Sequence, residues 1–97
     1  MQKVILKKSD KKDKKLKVTF ADTNKTVYFG AQGYSDYTKH KDFARMKRYE
    51  ARHKKKEDWN NPLTAGFWSK WILWNKPDLQ KSIKDTQKKF NLKIVQS

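Results

Sequence analysis

Four basic side chains in the middle of the chain recur at the spacing of one helix face. Steps of three, four and three residues separate Arg45, Arg48, Arg52 and Lys55. On a helix these positions form a single stripe, and the segment 43–57 contains neither Gly nor Pro. Because the planar guanidinium group meets phosphate oxygens in pairs, the stripe predicts contact with a phosphate backbone. The alternative is a plain solvated helix face.

Further lysines beside the stripe and near the N-terminus extend this set. The segment 7–17 carries seven lysines against two aspartates. Since so many ammonium groups cannot be buried together, we predict an exposed Lys-rich loop over residues 7–15. Such a loop adds affinity for a polyanion by counterion release, without reading sequence. The alternative is a solubilising or disordered tail. The added candidates are Lys11, Lys12, Lys14, Lys15, Lys47 and Lys56.

A glycine pair and several aromatic side chains are weaker candidates. Gly30 and Gly33 could let backbone N–H groups approach a phosphate, although a tight turn at positive φ explains them better. Aromatic side chains beside basic segments could stack on bases or anchor an interface. A place in the core is their alternative, because a domain short of aliphatic residues needs its aromatic ones inside. The stacking or interface candidates are Tyr34, Tyr37 and Trp59, and Tyr28 has the same two interpretations.

Chemistry other than binding has no recognisable pattern here. The only histidines are His40 and His53, no ligand set has metal-binding spacing, and there is no Cys. A phosphate-binding P-loop, a nucleophile elbow and a carboxylate cluster for Mg²⁺ are all missing from the sequence. We therefore expect no catalytic residue, no metal, no cofactor and no enzymatic activity.

The elements that must position these side chains suggest a single α+β domain over residues 1–97. Apolar residues alternate or cluster as in strands at 3–6, 16–20, 26–29 and 92–94. Helical patterns cover 43–57, 65–74 and about 78–90, with Asp42 and Thr64 as N-caps and Asn91 as a C-cap. We expect a small antiparallel sheet of three to four strands packed against about three helices, with Trp68, Trp71 and Trp74 at the buried centre.

Charge decides which partners suit such a domain. Lys and Arg number 25 against 10 Asp and Glu in 97 residues, which leaves a net charge of +15. A small domain with that surplus repels itself, and a polyanion relieves the repulsion. No secretory signal is visible, nor an apolar run near the roughly 18 residues that span a membrane. The expectation is an intracellular protein without a membrane span, and the missing Cys fits a reducing compartment or a capsid interior.

Five runs rich in uncommon residues mark the centre of the chain. They are FGAQGYSDY (29–37), HKD (40–42), RYEARH (48–53), WNNP (59–62) and TAGFWSKWILWN (64–75). Together, over roughly residues 28–90, they resemble a family of small basic proteins of large nucleocytoplasmic (giant) DNA viruses. The resemblance implies a viral origin and a place in the virion interior or at the site of viral assembly. It brings no catalytic residues.

Two functions are compatible with these features. The first is sequence-independent nucleic-acid binding, with double-stranded DNA as the expected partner and genome packaging as the role. The alternative is a structural virion protein, a minor or internal capsid component, whose basic surface and aromatic side chains contact capsid proteins. Binding to an anionic lipid surface is a third, weaker possibility. The sequence leaves the choice of DNA or RNA and the oligomeric state open.

Overall fold

The computed structural model describes residues 2–97 and has the predicted α+β class. The strands are Gln2–Lys8 (β1), Lys14–Phe20 (β2), Thr26–Ala31 (β3) and Leu92–Gln96 (β4). The helices are Tyr37–His40 (α1), Phe43–His53 (α2), Ala65–Trp68 (α3) and Leu79–Phe90 (α4), and α3 continues into a π-helical turn at Ser69–Leu73.

The sheet is mixed rather than wholly antiparallel. Its strand order is β3-β2-β1-β4, and both hairpins, β1–β2 and β2–β3, are antiparallel. The last strand lies parallel to β1, with Ile94 opposite Val4. A parallel neighbour requires a crossover connection, and α4 provides it by packing on the helix layer before the chain re-enters the sheet.

The loop predicted over residues 7–15 is shorter than expected. β1 continues through Lys8 and β2 begins at Lys14, so only residues 9–13 connect the strands. Lys7 pairs with Lys17 across the hairpin. The prediction failed because alternate residues of a strand face opposite sides, so every second lysine can stay in water while its neighbours fill the core.

Local polar caps fix the helix ends largely as predicted. Asp42, Thr64 and Asp78 each accept a hydrogen bond from the backbone N–H three residues on, at 3.2, 3.2 and 3.0 Å. Asn91 closes α4 in the left-handed conformation, at φ 52°. Helix α2 nevertheless stops at His53, four residues early, and the chain continues in a turn in which the backbone N–H groups of residues 56 and 57 both donate to the His53 carbonyl.

One face of the sheet is buried beneath α3, the π-helical turn and α4. Its core side chains are Val4, Leu6, Val18, Phe20, Val27, Phe29, Leu92 and Ile94. Trp68 is fully buried above them, as predicted, whereas Trp71 and Trp74 are only half-buried at the border of the core. Phe43 is 59% exposed because it stands at the first helical position, ahead of the packed turns.

Candidate nucleic-acid interface

Side chains on its inner face hold helix α2 in one rotational setting. Tyr49 stacks on Trp74, with ring centroids 4.3 Å apart and planes 2° from parallel. Glu50 Oε2 lies 2.8 Å from the ammonium group of Lys70, and Met46 is buried beside them. Since Lys70 belongs to the π-helical turn and Trp74 follows it, these contacts fasten α2 to the helix layer.

The inner face keeps fixed charge states near neutral pH. Burial raises the pKa of Glu50, but hydrogen bonds from Lys70 and Lys47 and their charges outweigh it and leave that pKa below its ordinary value of 4.5. Burial, with the charge of Glu57, raises the pKa of the Tyr49 phenol far above its ordinary value of 10.0. Glu50 is therefore ionised and Tyr49 neutral, so α2 is held by one ion pair and one neutral ring stack.

The arginine stripe, which we define as Arg45, Arg48 and Arg52, lies on the outer face of α2. All three side chains are exposed. None of the ion pairs found within residues 2–97 involves them, and Glu50, the one acidic residue inside α2, is directed inward. The stripe is thus a row of uncompensated guanidinium groups about 10 Å long, on a helix that cannot easily rotate.

Lysines predicted next to the stripe differ in their availability. Lys55 and Lys56 are exposed in the turn that follows α2. Lys47 lies 3.3 Å from Glu50 Oε1 and over the ring of Phe43, so its charge is partly compensated. The structure therefore weakens the assignment of Lys47 and leaves that of the other two unchanged.

Lys15 is not available to a phosphate backbone, which corrects the prediction for this residue. Its ammonium group lies 2.8 Å from Asp36 Oδ2, and only 11% of its side chain is exposed. Gly30, its neighbour across the β2–β3 hairpin, has no side chain, and a Cβ there would lie 3.3 Å from the Lys15 Cβ. Lys15 occupies that space and neutralises a buried carboxylate. The lysines that stay accessible in this hairpin are Lys11 and Lys12, which are exposed, and Lys14, which is half-exposed.

The glycine pair adopts the backbone conformation of a tight turn. Gly30 has a φ of 80° and Gly33 a φ of 85°, where only glycine is unstrained. A Cβ at Gly30 would come within 2.8 Å of Leu73 Cδ1, so this position lets β3 pass close to the π-helical turn. Close packing explains Gly30 without a phosphate, while a Cβ at Gly33 would meet open space.

Only one of the three predicted stacking residues is freely exposed. Tyr34 is 74% exposed in the loop after β3. Tyr37 is 7% exposed and packs at the start of α1, so it cannot stack on a base and leaves the candidate set. Trp59 is half-buried: its indole N–H donates to Glu57 at 2.9 Å, and Lys70 lies over its ring.

A cleft of about 360 Å³ brings part of the predicted set together beside the last turn of α2. Lys14 and Tyr34 line it from the sheet side, and His53 and Glu57 line it from the helix side. The His53 Nδ1 atom lies 3.0 Å from Glu57 Oε2, which holds both side chains. The hairpin and α2 thus border one depression, although the Lys11–Lys12 tip is not among its lining residues.

Sequence reasoning missed a second basic surface, on the side of the sheet that no helix covers within residues 2–97. Strand register sets Lys3 opposite Lys93, Lys7 opposite Lys17, and Lys17 opposite Tyr28. No side chain on this side is fully buried. We call it the open sheet face and define it by Lys3, Ile5, Lys7, Lys17, Thr19, Thr26, Tyr28, Lys93 and Val95. The sequence did carry a signal for this surface, because lysines occupy alternate positions of the strands. We had assigned part of that pattern to a loop.

Two further properties concern other kinds of site. Across residues 2–97, no three His, Cys, Asp or Glu side chains are grouped so that they could hold a metal ion. In the same part of the chain, no helix has both the length and the apolar character needed to cross a membrane.

Together these features define a small α+β domain with exposed basic surfaces on α2 and on the open sheet face. The chain matches the family of unknown function DUF5754 over residues 4–53 and belongs to that family. The matched segment runs from β1 to the last residue of α2, so it contains the arginine stripe and two of the four lysines of the open sheet face, Lys7 and Lys17. No curated protein and no solved structure matches the chain significantly.

Proposed function

We propose that this protein binds nucleic acid, with DNA as its main ligand, and does so without reading base sequence. The observation that carries the proposal is the arginine stripe: Arg45, Arg48 and Arg52 are exposed and unpaired with any carboxylate of residues 2–97, on a helix fixed by the Tyr49 stack and the Glu50 ion pair. Guanidinium groups fixed along a helix suit phosphate oxygens, and contacts to the phosphate backbone carry no base-sequence information.

Counterion release gives this proposal a magnitude. If each of the three stripe arginines, together with Lys55 and Lys56, neutralises one phosphate, the logarithm of the binding constant falls with log salt at a slope of about −4.5. Affinity for duplex DNA should then drop about 500-fold between about 50 and 200 mM salt. A nearly flat salt dependence would mean that phosphate contacts do not drive binding.

The biological setting is a further part of the proposal. On the resemblance of residues 28–90 to small basic proteins of large nucleocytoplasmic DNA viruses, we propose a role in packaging a viral genome, in the virion interior or at the site of assembly. A domain of net charge +15 offsets part of the self-repulsion of packed DNA. Binding rather than catalysis is the activity we assign.

The decisive test compares two helices that carry the same pattern of charge. The triple variant Arg45→Glu/Arg48→Glu/Arg52→Glu reverses the stripe. Its matched control, Lys81→Glu/Lys84→Glu/Lys88→Glu, makes the same change in net charge at the same spacing on α4, where all three lysines are exposed. We expect the stripe variant to lose retention on duplex DNA in a mobility-shift titration, and the α4 variant to keep most of it. Equal loss in both variants would show that only net charge matters and would overturn the assignment to α2.

Contact with other proteins is a second candidate function, because three large apolar side chains are exposed within residues 2–97. Tyr34, Phe43 and Leu63 are 74%, 59% and 48% exposed, and Phe43 stands at the start of α2 beside the stripe. These side chains could anchor a minor or internal capsid component on capsid proteins. Nuclease treatment of particles separates the two functions: a structural component stays with the capsid, whereas a packaging protein leaves with the genome.

A further inference from the structure

We propose that the open sheet face is a second nucleic-acid site, which takes single-stranded nucleic acid with Tyr28 as the stacking platform. This inference goes beyond the proposed function, because it uses no residue of α2 and assigns a different form of the ligand. The two surfaces lie on different sides of the molecule, since α2 packs on the helix layer and the open sheet face points away from that layer.

Strand register arranges the lysines of this face at two ends of an uncharged strip. Lys3 and Lys93 are adjacent at one end, and Lys7 and Lys17 are adjacent at the other. Lys7 lies four positions after Lys3 along β1, a distance of about 13 Å. Between the two pairs lie four uncharged side chains in cross-strand register, namely Thr26, Thr19, Ile5 and Val95. A flexible phosphate chain can contact Lys3 and Lys93 at one end and Lys7 at the other, where Lys17 already pairs with Asp10, while its bases lie over the strip.

The ring of Tyr28 allows this face to prefer a single strand over a duplex. The ammonium groups of Lys11 and Lys17 lie 4.2 and 5.8 Å from its ring centroid. A hydrogen bond to Asp10 raises the pKa of the phenol above its ordinary value of 10.0, so the ring is neutral. An unpaired base can displace the exposed Lys11 and stack on the ring, whereas the bases of a duplex are already stacked on each other. The displaced ammonium group then meets the neighbouring phosphate.

Charge complementarity selects the occupant of the face. None of its strand side chains is acidic, and Asp10, the carboxylate that reaches it, already pairs with Lys17 at 3.3 Å. A second copy of the chain would place the same four lysines against each other, which disfavours a dimer through this face. An acidic protein could satisfy the lysines but has no need of the Tyr28 ring.

The test measures fluorescence anisotropy of labelled oligothymidylate and of a labelled duplex, each titrated with the full-length protein. Tyr28→Ala should weaken oligothymidylate binding about 10-fold, and Tyr28→Phe should leave it unchanged. Lys3→Gln/Lys7→Gln/Lys93→Gln should lower the salt slope for oligothymidylate by about 2, at about 0.7 per lost contact. Its control, Lys81→Gln/Lys84→Gln/Lys88→Gln on α4, carries the same loss of net charge. Thermal unfolding of each variant checks that the fold is retained.

The two proposals fail in different ways in this experiment. If Tyr28→Ala and the sheet-face lysine variant bind oligothymidylate as the α4 control does, the open sheet face is not a site, whatever the arginine stripe does. If the Arg45→Glu/Arg48→Glu/Arg52→Glu variant abolishes binding of both ligands, α2 is the common site and this inference is overturned. Polyglutamate that competes with oligothymidylate equally well on the native protein and on Tyr28→Ala would identify an acidic protein as the occupant instead.

Discussion

Tyr28 and Phe29 are adjacent in β3, but they belong to opposite sides of the sheet. Phe29 is fully buried, and its ring centroid lies 6.3 Å from that of Trp68. Tyr28 lies on the open sheet face, beside Lys17, which pairs with Asp10, and close to the exposed Lys11. The same alternation of side chains builds a core on one side and collects cations on the other. The difference teaches that this chain keeps a large surplus of positive charge without burying it. Along each strand, substitutions on the core side should therefore affect stability, and substitutions on the open side should affect binding.

The largest effect should come from the buried member of this pair. Phe29→Ala removes a core ring and should lower the free energy of unfolding by about 3–5 kcal/mol. Tyr28→Ala, one residue away, should cost about 1 kcal/mol or less, because it leaves no closed cavity. Urea denaturation of both variants measures the two values. Similar losses in the two variants would mean that the open sheet face is covered or packed in solution, and the contrast between the faces would fail.

The second effect concerns the ion pair that fastens the arginine stripe. Glu50→Gln removes the negative charge beside the Lys70 ammonium group, whose side chain is 9% exposed. The Gln amide oxygen is a weaker, neutral acceptor, and the rings of Trp59 and Trp71 lie 5.3 and 4.5 Å from the ammonium group. We expect a loss of about 2–3 kcal/mol in the free energy of unfolding. Lys47→Gln is the control, because Lys47 is exposed and its removal leaves the Glu50–Lys70 pair intact. Its cost should stay below about 0.5 kcal/mol.

Low pH should break the same ion pair by protonating Glu50. The pKa of Glu50 in the folded protein lies below its ordinary value of 4.5, so its contribution to stability is fully present above that pH and is lost as pH falls through the folded pKa. The pH dependence of unfolding should therefore be shallower in Glu50→Gln than in the native protein over this range. An unchanged acid dependence would show that Glu50 is not the titrating group.

Local rules predicted the parts of this fold that depend on neighbours in sequence. Asp42, Thr64 and Asn91 act as caps because their short polar side chains or backbone preferences operate within three or four residues. The strands followed from alternation in the same way. Even the open sheet face was present in the pattern, but the density of lysines around residues 7–17 suggested a loop instead.

Long-range pairing explains what the sequence could not predict. The direction of β4 depends on the path of α4 across the helix layer, and no local signal encodes it. Lys15 finds its carboxylate 21 residues away, at Asp36. The burial of Tyr37 depends on how α1 meets the rest of the fold. Consequently the candidate site kept the arginines, whose surroundings are local to one helix, and lost Lys15 and Tyr37, whose partners are distant.

The smallest effect should come from the two glycines, which share a backbone conformation but not an environment. Gly30→Ala combines strain at φ 80° with a Cβ placed 2.8 Å from Leu73 Cδ1, so we expect a loss of about 2 kcal/mol in the free energy of unfolding. Gly33→Ala carries similar strain at φ 85°, but its Cβ meets no atom within 4 Å, so we expect a smaller loss, of about 1 kcal/mol.

Thermal or urea unfolding gives both values, and DNA titration of the same variants tests the phosphate-loop interpretation. If either alanine variant weakens duplex binding while its stability is unchanged, the turn contacts the ligand. If binding stays native in both, the glycines serve the fold alone, because Gly30 lets β3 pass the π-helical turn at the point where the core face ends.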